Sequence, residues 1–183
     1  LSLHDALPIS GRPVVDLIEL TDIVDIVIDG SNLTAHIAEE CVFVLFDSLL
    51  EGLLRISTGR SRKAVIEFPR GPWEMVLAAS GADLLVSLYG IGRTRPVVAH
   101  DLLADAQQFR QAVFCASRRA LGNLLDISSD FARNRLVERV QAKLAGLEQL
   151  DRHRRSADTF EVEKLGDHTS SSSLHGLTLA VDY

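Results

Sequence analysis

The chain has 183 residues, of which 46% are hydrophobic and 24% are charged, and its formal net charge is −6. This composition is typical of a globular protein and excludes a disordered one. Net acidity argues against a dedicated nucleic-acid binder, which normally carries a basic face. No apolar stretch reaches the roughly 18 uninterrupted residues that a membrane span needs.

The first ten residues are predicted to be a non-native leader. Residues 1–9 resemble one reading frame of a common short-read sequencing adapter (CTT TCC CTA CAC GAC GCT CTT CCG ATC), and Ser10 would lie at the junction. Agreement over so many consecutive codons is very rare by chance. We therefore expect residues 1–10 to contribute nothing to the fold, and an α+β domain to extend over 11–155.

Strand patterns open this domain. Residues 14–20 and 23–28 are rich in Val and Ile, and the second run alternates so that Val24, Ile26 and Ile28 share one face. Alternation of this kind indicates a strand. Residues 29–32 have the composition of a turn, and residues 33–35 are interpreted as a short return strand.

A buried helix is predicted over residues 35–57. Its apolar positions recur at helical spacing and cover most of its circumference. Thr34 is the expected N-cap, Glu39 and Glu40 suit the helix dipole, and Gly59 is placed to end the helix.

Three strands are predicted next, at residues 63–68, 73–79 and 83–89, and a last short one at 97–99. Their connections are short, which favours antiparallel neighbours. The sequence therefore predicts an antiparallel meander with the preceding helix packed on it.

Two further helices are predicted, at residues 102–125 and 130–152, with Asp101 as N-cap of the first and a break at 126–129. The second helix has one narrow apolar stripe: Leu136, Val140, Leu144 and Leu147. We expect this stripe to pack against the 102–125 helix. Self-association through the same stripe is the alternative.

The remaining chain is divided into a linker-like segment at 156–176, containing a short strand at 159–164, and a strand at 177–182. We expect residues 177–183 to begin a truncated second domain. The predicted element order is roughly β-β-α-β-β-β-α-α. This order predicts an α+β fold of two layers, with an antiparallel sheet carrying helices on one face.

The candidate binding site is a basic turn between the first helix and the meander. Arg60, Arg62 and Lys63 lie beside Gly59, and arginine side chains bind phosphate well. Cations after a helix C-terminus are equally expected from the helix dipole, so a solvated basic turn is the plainer interpretation.

Other residue groups give no assembled site. His100 and Asp101 suggest an acid–base pair, but no nucleophile motif accompanies them. Trp73 with Tyr89 and Phe68 suggests an aromatic platform, although aromatic residues in a sheet are usually core. We predict no catalytic residue, no cofactor and no metal, and we expect both cysteines, Cys41 and Cys115, to be buried thiols.

The leading functional hypothesis is a non-enzymatic protein-interaction or regulatory module of a longer bacterial protein. Sixteen Arg against three Lys indicates a GC-rich bacterial genome, and unpaired cysteines fit the cytoplasm. The expected partner is a protein, either further domains of the same chain or another chain; we expect no nucleic-acid partner and no membrane span in this fragment. The alternative is an enzyme or sensor domain that binds an anionic small molecule through Arg60, Arg62 and Lys63.

Overall fold

The computed structural model describes residues 17–164 and 178–181, with side chains described over 17–153. Its elements in chain order are β1 Thr21–Asp22, β2 Val24–Ile28, β3 Ser31–Asn32, β4 Glu40–Cys41, α1 Val42–Ser57, β5 Lys63–Glu67, β6 Trp73–Ser80, β7 Asp83–Gly90, β8 Val97–Asp105, α2 Ala106–Ile127, a 3-10 turn at Ser129–Arg133, α3 Arg135–Lys164 and β9 Thr178–Val181. Helices and antiparallel sheets in this order confirm the predicted α+β class.

A four-stranded antiparallel sheet in the order β5-β6-β7-β8 forms one layer. Its registers include Val65 opposite Val76 and Leu77 opposite Val86. The predicted meander is thus confirmed. The last strand is longer than expected, because β8 spans nine residues and pairs with β7 along its length.

The helix layer covers one face of this sheet. Leu45 and Leu49 of α1 are fully buried, and so are Met75 and Leu77 on the sheet. The approach is close at Gly52, where an added Cβ would lie 3.0 Å from Ala64 Cβ. The expected packing of α1 on the meander is therefore confirmed, with the core between the two layers.

The first helix starts later than predicted. It begins at Val42, and its N-cap Cys41 provides no side-chain cap. Thr34, the predicted N-cap, instead accepts a hydrogen bond from the Ile26 N–H (2.8 Å) and donates one to the Val24 carbonyl (2.7 Å). A hydroxyl that satisfies two buried backbone groups stabilises the hairpin there, so the chain is not helical before β4. The end of the helix is as expected, with Gly59 at a φ of +71°.

The predicted start of the second helix was also wrong. Asp101 lies within β8, and α2 begins after Asp105, whose side chain accepts a hydrogen bond from the Gln108 N–H at 2.7 Å. Residues 102–104 are apolar enough to fit a helix pattern. They pair with β7 instead, which satisfies their backbone groups in the sheet.

The predicted stripe of α3 is buried. Leu136 and Leu144 are 8% and 7% exposed, and Val140 and Leu147 are fully buried. The helix contacts α2, as predicted, and makes a more extensive contact along α1. An added Cβ at Gly146 would lie 3.2 Å from the Leu54 side chain. The chain's own helices thus cover the stripe.

The predicted strand at 159–164 was wrong, since α3 continues to Lys164. Extending an existing helix adds one hydrogen bond per residue, whereas a new strand needs a partner. The predicted strand near the end of the chain is found at Thr178–Val181. It pairs antiparallel with β2, so its partner lies in the predicted 11–155 domain.

The β2–β3 hairpin confirms the strand predicted over 23–28. Val24, Ile26 and Ile28 are buried, but the return strand lies at Ser31–Asn32, two residues before the predicted 33–35. The described part of the predicted 14–20 strand, residues 17–20, is a turn. The predicted leader, residues 14–16 and residues 165–176 of the predicted linker-like segment lie outside the described residues, and the division of the chain into domains stays a prediction.

Candidate functional site

The basic turn is a short, self-contained connection between α1 and β5. The Ser61 hydroxyl donates to the Lys63 carbonyl (2.6 Å) and accepts from the Lys63 N–H (3.2 Å). Arg60, Arg62 and Lys63 are all exposed. None of the three belongs to an ion pair within residues 17–153. The Lys63 backbone groups are therefore hydrogen-bonded within the turn, and the cationic side chains extend into solvent.

A pocket of about 400 Å³ lies elsewhere, between α2 and α3. Its lining residues are Gln111, Phe114, Glu148, Asp151 and Arg152. None of them comes from the basic turn, so the structure does not bring the predicted anion-binding cations to this cavity.

Ion pairs between α2 and α3 engage both carboxylates of this pocket. Arg110 Nη2 lies 2.7 Å from Asp151 Oδ1, with the Arg110 side chain 5% exposed. Arg118 Nη1 lies 3.4 Å from Glu148 Oε1 in a largely exposed pair. Arg110 Nε and Asp151 Oδ1 have no hydrogen-bond partner among the described residues. The contact between Arg110 Nη2 and Asp151 Oδ1 is therefore a close ion pair that lacks the alignment of a hydrogen bond. The pocket is accordingly a groove between α2 and α3, which two ion pairs join.

The His100–Asp101 pair lies at a β-bulge in β8. Val86 pairs with Leu102 and Leu88 with Ala99, so two residues of β8 stand opposite Ser87. Asp101 has a φ of +51°, unusual for a residue with a side chain. A bulge beside a strained residue is a feature common near active sites.

The bulge does not form a nucleophilic triad. The Ser87 hydroxyl donates to Asp101 Oδ1 at 3.1 Å and accepts from the Asp101 N–H at 2.9 Å. His100 Nδ1 lies 3.3 Å from the other oxygen of Asp101. In a triad the base contacts the nucleophile, whereas here the carboxylate separates the two. Ser87 is also only 2% exposed, so the arrangement stabilises the bulge.

The aromatic platform considered for Trp73, Tyr89 and Phe68 is not formed. Trp73 pairs with Gly90 and Tyr89 pairs with Glu74, so the two rings lie on opposite faces of the sheet. Phe68 is buried. Trp73 instead contacts the His36 ring edge-on at 4.5 Å. Beside it, the buried carboxylate of Glu40 accepts a hydrogen bond from the Arg70 N–H at 3.0 Å, which fixes the turn before β6.

The two cysteines differ in their burial. Cys41 is buried, as expected, but Cys115 is exposed on α2, contrary to the prediction. Over residues 17–164 and 178–181 no group of three or more His, Cys, Asp or Glu is placed to hold a metal ion. No helix in the same ranges is both long and apolar enough to cross a membrane.

The outer face of the four-stranded sheet carries several exposed apolar side chains. Its side chains form four rows across the strands: Ser80, Asp83 and Asp105; then Lys63, Ala78, Leu85 and Leu103; then Val65, Val76 and Ser87, with Asp101 of the bulge bonded to Ser87; then Glu67, Glu74, Tyr89 and Val97. Val65, Val97 and Leu103 are 51%, 58% and 56% exposed. Val76, Leu85 and Tyr89 between them are half-buried. We refer to these rows as the outer face.

The outer face was not predicted as a site, although the alternation of the strands contained the signal. An antiparallel sheet with one solvated face normally alternates apolar and polar residues. In β5 the outward positions are Lys63, Val65 and Glu67, and in β7 they include Leu85 and Tyr89. Apolar residues at outward positions of several strands of one sheet indicate a surface that has a use beyond solubility.

Comparison of the chain with protein-family models, with curated proteins and with solved structures gave no match in any of the three. The geometry of the described residues is therefore the basis for the functional proposal.

Proposed function

We propose that this chain is a non-enzymatic protein-interaction module whose contact surface is the outer face of its four-stranded sheet. The observation that carries the proposal is the exposure of Val65, Val97 and Leu103 on the outer face of one sheet. Exposed apolar side chains gathered on one face mark contact sites in soluble proteins. Apolar side chains set in a polar rim also match the anatomy of protein interfaces.

The rim of the outer face is charged. Lys63 lies at one end of β5 and Glu67 at the other, with Val65 between them. Charged groups at the edge of a contact surface steer association and select the partner, while the apolar centre provides most of the affinity. A contact surface on the outside of a sheet favours a protein partner over a small molecule, since small ligands bind in concave sites.

The alternative, an anion-binding turn at Arg60, Arg62 and Lys63, has less support. All three side chains are exposed, and none lines the cavity between α2 and α3. Binding of a small anion would rest on flexible surface cations alone, which usually bind weakly and lose affinity as salt is added.

The proposal is tested by capture from a bacterial lysate, supplemented with a differently tagged copy of the chain, on four immobilised versions of the full chain. These are the wild type, Val65→Lys, Leu103→Lys and the control Ile127→Lys. Ile127 is 67% exposed but lies at the end of α2, away from the outer face. We expect a protein retained by the wild type and the control to be lost from both outer-face variants. Identical capture by all four versions would contradict the proposal.

A further inference from the structure

The outer face carries more negative than positive charge. Its four rows contain one lysine, Lys63, and no arginine, against five carboxylates: Glu67, Glu74, Asp83, Asp101 and Asp105. Two of the five are already engaged, because Asp105 accepts a hydrogen bond from the Gln108 N–H and Asp101 accepts one from Ser87. The other three form no ion pair with a side chain of residues 17–153. Their negative charge is therefore uncompensated within that part of the chain.

Four of the carboxylates stand in two facing pairs, one at each end of the outer face. Glu67 lies opposite Glu74 on β5 and β6, and Asp83 lies opposite Asp105 on β7 and β8. Like charges directly opposite each other destabilise a sheet. Asp83 is six positions before Tyr89, which pairs with Glu74, so the two pairs lie about 20 Å apart along the strands. A partner with cations at both ends of the face would offset both repulsions.

Apolar side chains occupy the rows between the two acidic pairs. Leu85 lies opposite Leu103 in one row, and Val65 lies opposite Val76 in the next. Val65 and Leu103 are exposed, whereas Val76 and Leu85 are half-buried. The outer face thus presents an apolar centre between two negative ends. In protein interfaces such a centre provides affinity, and the charges around it select the partner.

We propose that the outer face binds a basic amphipathic segment of another protein, with apolar side chains over Val65 and Leu103 and lysine or arginine side chains over the two acidic pairs. The inference rests on the proposed function, whose partner it specifies. The same charge disfavours nucleic acid and anionic membrane surfaces, because both present phosphate groups. It also disfavours a second copy of this chain, which would bring the same carboxylates together.

Peptide binding to the purified full chain tests the charge and the apolar centre separately. The probe is a fluorescent amphipathic helix of leucine and lysine, about 18 residues and hence about 27 Å long, which spans both acidic pairs. One control peptide has glutamate in place of every lysine, and the other has serine in place of every leucine. Fluorescence anisotropy should show that the leucine–lysine peptide binds about 10-fold or more tightly than either control. Its affinity should fall as sodium chloride is added.

A charge-neutralised variant locates the binding site on the sheet. Glu67→Gln, Glu74→Gln and Asp83→Asn are combined in one chain, which we refer to as the face variant. It should bind the leucine–lysine peptide about 10-fold more weakly than the wild type, because three cation–carboxylate contacts are lost. Each amide has nearly the shape of the carboxylate that it replaces, so the face variant should keep the wild-type circular dichroism spectrum.

The matched control removes three exposed carboxylates outside the four-stranded sheet: Glu19→Gln, Asp126→Asn and Glu138→Gln. It has the same net charge as the face variant, so any long-range attraction of a basic peptide by the acidic chain is reduced equally in both. Its affinity for the leucine–lysine peptide should stay within about 2-fold of the wild type. A larger effect in the face variant then reports contact with the outer face itself.

Equal affinity for the leucine–lysine and leucine–glutamate peptides would overturn the inference. So would an equal loss in the face variant and the matched control, or no binding up to about 1 mM peptide. The lysate capture separates this failure from that of the proposed function. A protein that is lost from Val65→Lys and Leu103→Lys but retained by the face variant would overturn the basic partner and leave the contact surface standing. Capture that depends on neither Val65 nor Leu103 would contradict both.

Discussion

The two faces of the four-stranded sheet both carry apolar side chains, and they differ in what covers them. On the inner face Met75, Leu77 and Val86 are fully buried beneath the helices. On the outer face Val65 and Leu103 are more than half exposed. The inner face explains why the chain folds, since burial of apolar area is the main favourable term in folding. The exposed apolar residues of the outer face do not contribute to folding in this way. They require a second explanation, which we propose is contact with a protein partner.

The largest expected effect is on the inner face. Leu77→Ala, or Leu49→Ala on the helix that covers the sheet, should lower the free energy of unfolding by about 2–5 kcal/mol. Each change removes fully buried methyl groups and leaves a cavity. Urea denaturation of each variant measures the loss. A loss below about 1 kcal/mol at both positions would show that the helix–sheet contact is not the core.

The same contrast between buried and exposed positions holds for the two ion pairs that join α2 to α3. Arg110→Met should lower the free energy of unfolding by roughly 2 kcal/mol, because it leaves the largely buried Asp151 carboxylate without its cation. Arg118→Met, in the exposed pair with Glu148, is the control and should cost at most about 0.5 kcal/mol. Equal losses measured by urea denaturation would contradict the different burial of the two pairs.

Glycine substitutions probe the contact between α1 and the inner face. Gly52→Ala should destabilise by about 1 kcal/mol, because the new methyl group would lie 3.0 Å from Ala64 Cβ and overpacking outweighs the gain in helix propensity. Gly122→Ala is the control, since no atom lies within 4 Å of its added Cβ. It should stabilise α2 by up to about 1 kcal/mol. Thermal unfolding should show a lower midpoint temperature for Gly52→Ala and a higher one for Gly122→Ala. A stabilising Gly52→Ala would mean that the helix is free to move away from β5.

The sequence was sufficient to predict the meander and the helix packed on it. Alternation and short connections are local signals, and both survive in β5, β6 and β7. The first residues of the helices were harder to predict, because they depend on which of several competing hydrogen bonds forms. Thr34 and Asp101 both have the side chains of an N-cap, but one bonds to a hairpin and the other to Ser87 across the sheet. The apolar residues 102–104 fit a helix equally well until β7 is known to lie beside them.

The candidate site was harder to predict than the fold. The basic turn at Arg60 and Arg62 is contiguous in sequence and was easily noticed, yet it does not line the cavity between α2 and α3. The outer face joins residues from four strands, from Lys63 to Leu103, and depends on their register. It also depends on knowing that the helices occupy the opposite face. Neither fact is encoded in any single segment.

The most direct test of this division between the two faces is a pair of measurements on Leu103→Lys. The free energy of unfolding, measured by urea denaturation, should stay within about 0.5 kcal/mol of the wild type, since Leu103 is 56% exposed. The same variant, immobilised, should fail to retain the protein that the wild type captures from the lysate. A variant that loses about 2 kcal/mol of stability and captures protein as the wild type does would show that the outer face belongs to the core, and would contradict the account.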